Sequence, residues 1–425
     1  MRQFLTIFSG QFASVLGSGL TIFALGVYVF QKTGSTTDYA MILFFAFLPP
    51  IIFAPIAGPI VDRFNRRLVM IVTDSFAALG TLLLLFLIRN GEIEVWHVYL
   101  VSAISATATP FQLPAYNASI SQLVPGDKLM RANGLVRTSE GFQRMLSPIL
   151  AAWLLGTVSL KGIIWIDLFT FLIAVTTLLM VRIPDLPPQL GKKTSIRADI
   201  KEGFAYLWQR KPLLGLMAMF FCYNFFMGML MALFTPMLLS FTDTQTLGAI
   251  MSVFGASVIL GGIGVTVFGG PKRLMTGIFV GMVCSGLAMI IIGLTKNVYL
   301  MGSSCLIFGM AMPMIVSSSQ TIWQKKIPHR LQGRIHSTRM MVAFASTPLA
   351  YLSCGPLVDH IFEPLMVSGS DLALRLVPLF GGDIGQGSAV LMSLLGLLNL
   401  IFLLCVTMMP TLRNLEDLVP DATDA

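Results

Sequence analysis

The stretch GPIVDRFNRR, residues 58–67, decides how the chain is read. Asp62, Arg63, Arg66 and Arg67 place four charges within six positions. Apolar runs flank it: MILFFAFLPPIIFAPIA (41–57) before, LVMIVTDSFAALGTLLLLFLI (68–88) after. About 20 apolar residues in a helix cross a bilayer. The charge knot is therefore read as a short loop between two crossings.

The rest of the chain repeats this alternation. Of its 425 residues 55% are hydrophobic and only 11% charged, against roughly 25% charged in soluble domains. Mean hydropathy is +0.81. That composition cannot cover a soluble surface and predicts an all-α integral membrane protein. Twelve spans are predicted, at 5–30, 39–61, 68–88, 96–121, 136–157, 162–182, 213–241, 247–268, 274–294, 298–322, 335–358 and 388–409. A membrane β-barrel would need alternating segments of about 10 residues, and these runs are longer and unalternating. The first run is too long for a signal peptide and lacks a cleavage site, so it reads as a retained span.

Basic residues set the orientation. With the N-terminus in the cytoplasm, 23 of the 28 Lys and Arg fall in inside loops, tails or the inner portions of spans. Only Lys32, Arg89, Lys161, Lys296 and Arg375 fall outside. This asymmetry predicts both termini in the cytoplasm. It also assigns the net charge of +8 to topology and anionic-lipid contact, not to nucleic acid. Cys222, Cys284, Cys305, Cys354 and Cys405 all lie in apolar runs without metal-ligand spacing and read as buried small hydrophobes.

The polar segment 182–212 divides the spans six and six. Within it Ile196, Ile200, Phe204 and Leu207 recur at helical spacing, predicting an amphipathic surface helix. The expected organisation is an N-terminal half (1–182), a linker (183–212), a C-terminal half (213–410) and a tail (411–425). The halves echo each other. Gly264 to Arg273 ends in a basic pair and lies 206 residues after Gly58 to Arg67; Pro328 follows Pro125 by 203, and Pro348 follows Pro148 by 200. Such duplication at matching topological positions marks transporters.

G-x-x-x-D-R-x-x-R-R between spans two and three, in a six-plus-six chain, resembles the A motif of the major facilitator superfamily. LVPGDKLMRANGL before span five, IPHRLQGRI before span eleven and CGPLVDHIFEPLM at its end are similar to the bacterial macrolide-efflux and enterobactin-exporter-like branch. The resemblance implies two pseudo-symmetric six-helix halves, and proton-driven export of drugs or siderophores. It implies that Asp62 bonds the end of a later span and closes the inner side, with Gly58, Arg63, Arg66 and Arg67 in the same gating motif. There are departures. Phe268 and Gly269 occupy the places of Asp62 and Arg63 in the second loop. Span four carries no arginine, and the antiporter motif of span five is reduced to Ser147-Pro148 with Gly156 beyond.

Charges within spans are costly, about 2.5–3.5 kcal/mol each at mid-helix. Asp74, Glu140, Arg144 and Asp167 are therefore candidates for coupling or for charge pairing. Glu140 and Arg144, four apart, can pair; Asp74 and Asp167 are also read as structural hydrogen-bonding groups. Amides fall at Gln11, Gln112, Asn117, Gln143, Asn224, Gln320 and Asn399. In the resembled fold spans one, four, seven and ten line the cavity. Gln11, Gln112, Asn117, Asn224 with its neighbour Tyr223, and Gln320 are accordingly candidate lining residues; helix–helix bonding is the alternative.

GGIGVTVFGG (261–270) lacks the lysine of a nucleotide loop, and four scattered histidines form no catalytic set. No enzyme, cofactor or metal is expected. The expected function is proton-coupled export of an amphipathic small molecule by alternating access, from a monomer in a bacterial inner membrane. Its expected partners are the substrate, protons and lipids. A lipid or lysolipid translocator, or an importer of the same fold, is the alternative.

Overall fold

In hydrocarbon no water can bond the backbone, so each apolar run closes its N–H and C=O groups within a helix. The computed structural model describes every residue except Asp62, Glu92, 184–204, Gly369, 381–384 and 423–425. The described residues contain helices, turns and no strand. Twelve helices of 21 residues or more follow in order. They are α1 (Arg2–Thr33), α2 (Thr36–Val61), α3 (Arg66–Asn90), α4 (Val95–Leu123), α5 (Leu129–Thr157), α6 (Ser159–Met180), α7 (Lys211–Leu239), α8 (Thr244–Phe268), α9 (Leu274–Leu294), α10 (Val298–Lys326), α11 (His329–Leu357) and α12 (Gln386–Met408). Among the described residues ten helical stretches are long and apolar enough to cross a membrane; α4 and α5 are not among them. Hydroxyls, amides and Pro110 and Pro114 dilute α4, and charges dilute α5.

Local chemistry sets the ends. α1 stops at Gly34, whose φ of 66° suits a residue without Cβ, and the Gly34 N–H returns to Phe30 O. Asn65 caps α3, its side chain accepting from Leu68 N at 3.1 Å. Asn297 caps α10 by accepting from Tyr299 N and Leu300 N. α5 and α11 begin earlier than their apolar spans because proline precedes each: Pro125 opens a 3₁₀ turn before α5, and Pro328 N-caps α11. The expected amphipathic linker helix falls largely outside the described residues.

Contacts divide the chain into two compact units, Met1–Lys192 with Thr244–Ser252, and Lys193–Asp243 with Val253–Ala425. In the first, α1 packs on α6 and α5, and α4 packs on α2 and α3. In the second, α9 packs on α12 and α10, and α7 on α11. Helix one of each unit thus pairs with helix five, and helix three with helices four and six.

Small residues allow these approaches. A Cβ on Gly10 or Gly17 of α1 would collide with Thr177 or Thr170 of α6. The two glycines and the two threonines share a spacing of seven residues, so both contacts lie on one helix face. Gly228 meets Ala350 across α7 and α11, and Gly286 meets Leu400 across α9 and α12. Gly58 differs from these: among the described residues no atom lies within 4 Å of where its Cβ would stand.

Beyond α11 a π turn (Val358–Phe362) and two short helices (Glu363–Val367, Asp371–Phe380) precede α12. The Glu363 carboxylate accepts from Gly385 N at 2.5 Å and Gly387 N at 2.9 Å. It thereby satisfies N–H groups at the start of α12, where negative charge is favoured.

Candidate functional site

Two acids organise the interior of the first unit. Asp74 lies eight residues into α3, about 12 Å along the helix from Arg66. Gln11 Nε2 of α1 donates to its Oδ2 at 2.9 Å. Gln112 Nε2 of α4 donates to Gln11 Oε1 at 3.0 Å, and Thr73 Oγ1 donates to Gln112 Oε1. Three helices are thus joined through one polar chain. Gln11 is buried, while Asp74 and Gln112 are half-buried.

Asp167 of α6 is enclosed differently. Ser18 and Thr21 of α1 donate to it at 3.1 Å each, and Thr81 of α3 at 3.2 Å. It is only 6% exposed. Three hydroxyl donors satisfy a carboxyl that hydrocarbon alone could not accommodate.

The remaining sequence candidates are dispersed. Asp62 lies outside the described residues. Arg63 is exposed, and Arg67 donates to Leu179 O at 2.7 Å, satisfying a carbonyl at the end of α6. Arg66 is half-buried. Of the candidates on α5, Glu140 is half-buried and Arg144 exposed. Helical spacing brings the two Cα positions to one face. Asn117 is exposed. In the second unit Tyr223 is buried, its hydroxyl 3.1 Å from Ser285 Oγ. Asn224 Nδ2 turns back to Phe220 O at 2.8 Å, and Asn399 Nδ2 donates to Met282 O of α9 at 3.0 Å.

Gln320 belongs to a cavity within the second unit. Its Oε1 accepts from Arg339 Nη2 at 2.8 Å. The Arg339 guanidinium stands 5.3 Å from the centroid of the Trp323 ring. With Gln324, Gln332 and His336 these residues line a cavity of about 340 Å³.

A further polar cluster closes the basic end of this unit. Lys326, the last residue of α10, is 6% exposed. It donates to Glu416 O at 2.7 Å, to Val419 O, and to Asp421 Oδ1 at 2.9 Å. Glu416 Oε1 accepts from Met275 N at 2.9 Å, capping α9, and Asp417 lies 3.7 Å from Arg273. The hydrogen bond from Lys326, and then its charge, hold the Asp421 carboxyl below the ordinary carboxylate value.

Sequence reasoning missed Thr73, Thr81, Arg339 and this tail. Threonines that bond acids look like any helical threonine. Arg339 carried a signal: QLVPGDKLMRANGLVR and QKKIPHRLQGRIHSTR both end on arginine, and Arg339 falls inside the predicted span 335–358.

Two bundles of apolar helices, with acids and amides bonded across their interiors, define a polytopic membrane transporter. The Major Facilitator Superfamily model matches residues 7–351, and the chain belongs to that family. It is 28% identical over 372 residues to macrolide efflux protein A of Streptococcus pyogenes, covering 84% of this chain and 90% of that one. It is 22% identical over 353 residues to the multidrug efflux pump Tap of Mycolicibacterium fortuitum, covering 81% and 86%. Its fold is similar to the nucleoside transporter NupG (TM-score 0.72, 15% identity, 95% of this chain and 99% of that one). A bacterial homologue of the lysosomal transporter Spinster gives a TM-score of 0.72 at 12% identity, covering 100% and 98%. The family and these relatives are transporters, not enzymes.

Proposed function

We propose that this transporter is a proton-coupled exporter of amphipathic small molecules, working by alternating access in a bacterial inner membrane with both termini cytoplasmic. The observation that carries the reading is the Asp74–Gln11–Gln112 chain: an acid inside the first unit, bonded to Gln11 of α1, which in turn accepts from Gln112 of α4. A coupling acid must be reached by water in at least one state. Asp74 is half-buried, whereas Asp167 is enclosed by three hydroxyls. Asp74 is therefore the proposed proton carrier and Asp167 a structural group. Export, as the direction of transport, is supported by the efflux relatives. Asp62, with Arg63, Arg66 and Arg67, is proposed as the gate of the first unit.

The test is efflux of fluorescent amphiphiles, anionic and cationic, from a pump-deficient bacterial host. Efflux should stop when an uncoupler collapses the proton gradient. Asp74→Asn should abolish uphill efflux while leaving the protein in the membrane. Efflux unchanged by both would sink proton coupling through Asp74.

A further inference from the structure

Arg339 holds a position that its surroundings leave electrostatically unfinished. It lies ten residues into α11, inside the predicted span 335–358. A guanidinium stays charged in any protein environment. Charge at that depth is costly unless paired. Among the described residues no carboxylate lies within 4.0 Å of it. Its bonds are to neutral groups: Gln320 Oε1 at 2.8 Å, with His336 Nδ1 at 3.5 Å. Both contacts use the same terminal nitrogen, so most of the five-donor fork is uncommitted.

A second observation points the same way. Trp323 is 4% exposed and lines the same cavity, and its indole N–H has no hydrogen-bond partner. An indole nitrogen is a donor only. A cation and an unpartnered donor therefore meet beside one cavity, and both call for an acceptor carrying negative charge. Gln320, by accepting from Nη2, fixes the orientation of the fork. About 340 Å³ suits a headgroup or fragment, at the lower end of ligand-pocket sizes.

We propose that this cavity is a subsite for a carboxylate-bearing part of the transported molecule, with Arg339 pairing its two oxygens and the Trp323 ring packing against its apolar body. The inference rests on the exporter reading for its cargo. It narrows that cargo to amphipathic acids, since a cationic amphiphile would meet like charge at Arg339. Arg339 and Trp323 recognise the ligand; Gln320 positions Arg339.

The test uses full-length protein in phosphatidylcholine nanodiscs and needs no proton gradient. Calorimetric titration compares 2-naphthoate with uncharged 2-naphthamide, which share one ring system. The acid should bind about tenfold to a hundredfold tighter, the range of a charge-assisted hydrogen-bonded pair. Arg339→Gln should bring the ratio close to one with amide binding unchanged, while Arg339→Lys should keep part of it. Equal binding of acid and amide by the native protein, or a ratio unmoved in Arg339→Gln, overturns the proposal. A misfolded variant would lose amide binding too; in that event Gln320→Ala, which leaves the cation in place but unaimed, must lower the ratio or the proposal falls. Repeating the titration in discs containing phosphatidylglycerol separates cargo from lipid. Naphthoate binding that survives there supports a soluble acid, and binding lost only there assigns the site to lipid headgroups and overturns the cargo assignment. A collapsed ratio in Arg339→Gln combined with uncoupler-insensitive efflux would leave the subsite standing and remove only the coupling.

Discussion

Deleting residues 414–425 strips Lys326 of all three acceptors, Glu416 O, Val419 O and Asp421 Oδ1. Each charge-assisted bond contributes about 1.5–3 kcal/mol, but three bonds to one ammonium do not add. Breaking a buried ionic pair costs about 3–5 kcal/mol because the remaining charge stays buried. Lys326 ends α10, so its side chain can swing outward and recover part of the cost. For the stranded Lys326 charge the lower figure, about 3 kcal/mol, is expected, and the loss of buried Leu415 and Val419 adds to it. For a unit of roughly 200 residues the stranded charge alone lowers the melting temperature by about 6–12 °C. Lys326→Met removes the charge itself. The truncated Lys326→Met protein should therefore melt above the truncation alone, retaining the loss of the Glu416 cap on α9, about 1 kcal/mol, and of the buried Leu415 and Val419 side chains, about 1.5–3 kcal/mol each. Tryptophan-fluorescence melting of the four proteins in detergent provides the comparison. A truncation that melts like the full chain, or a double variant that melts no higher than the truncation, would refute the reasoning.

Three other outcomes are expected. Gly10→Ala should destabilise the first unit by about 1–3 kcal/mol through overpacking, since its Cβ meets Thr177. Adding Thr177→Ala should restore most of the melting temperature. Asp167→Asn, which replaces one of the two oxygens that accept from Ser18, Thr21 and Thr81 by an N–H donor, should cost about 1–3 kcal/mol in detergent melting while leaving efflux uncoupler-sensitive. Because its folded value lies below the ordinary 3.8, Asp421 contributes its tail contact fully above that value. The contribution is lost as pH falls through the lowered one. Protease cleavage of the tail should therefore accelerate only in acid below about pH 4, and Asp421→Asn should remove that dependence.

The helices were legible because hydrocarbon permits one backbone solution. α9 occupies 274–294 as predicted, and the other long helices begin at or up to about two turns before their predicted spans and end within about one turn of them. Gln11, Gln112 and Asp74 were each visible as polar groups in apolar runs, but their union was not. It depends on which faces of α1, α3 and α4 meet, and single spans carry no such information. The tail was illegible for another reason. Glu416, Asp417 and Asp421 resemble any solvated acidic end, and only the burial of Lys326 makes them partners.

That α4 and α5 fall short of the apolarity of their neighbours bears on how the protein is made. A helix holding Arg131, Arg137, Glu140 and Arg144 does not partition alone from the insertion machinery into lipid. Its natural company is α1 and α6, on which it packs, and α6 is synthesised directly after it. Entry of the first unit is then a cooperative event, completed when α6 emerges. Reporter fusions after residue 158 should lodge incompletely in the bilayer, and fusions after residue 183 should lodge fully. The polarity that equips this unit for transport would thus be tolerated only because its assembly is collective.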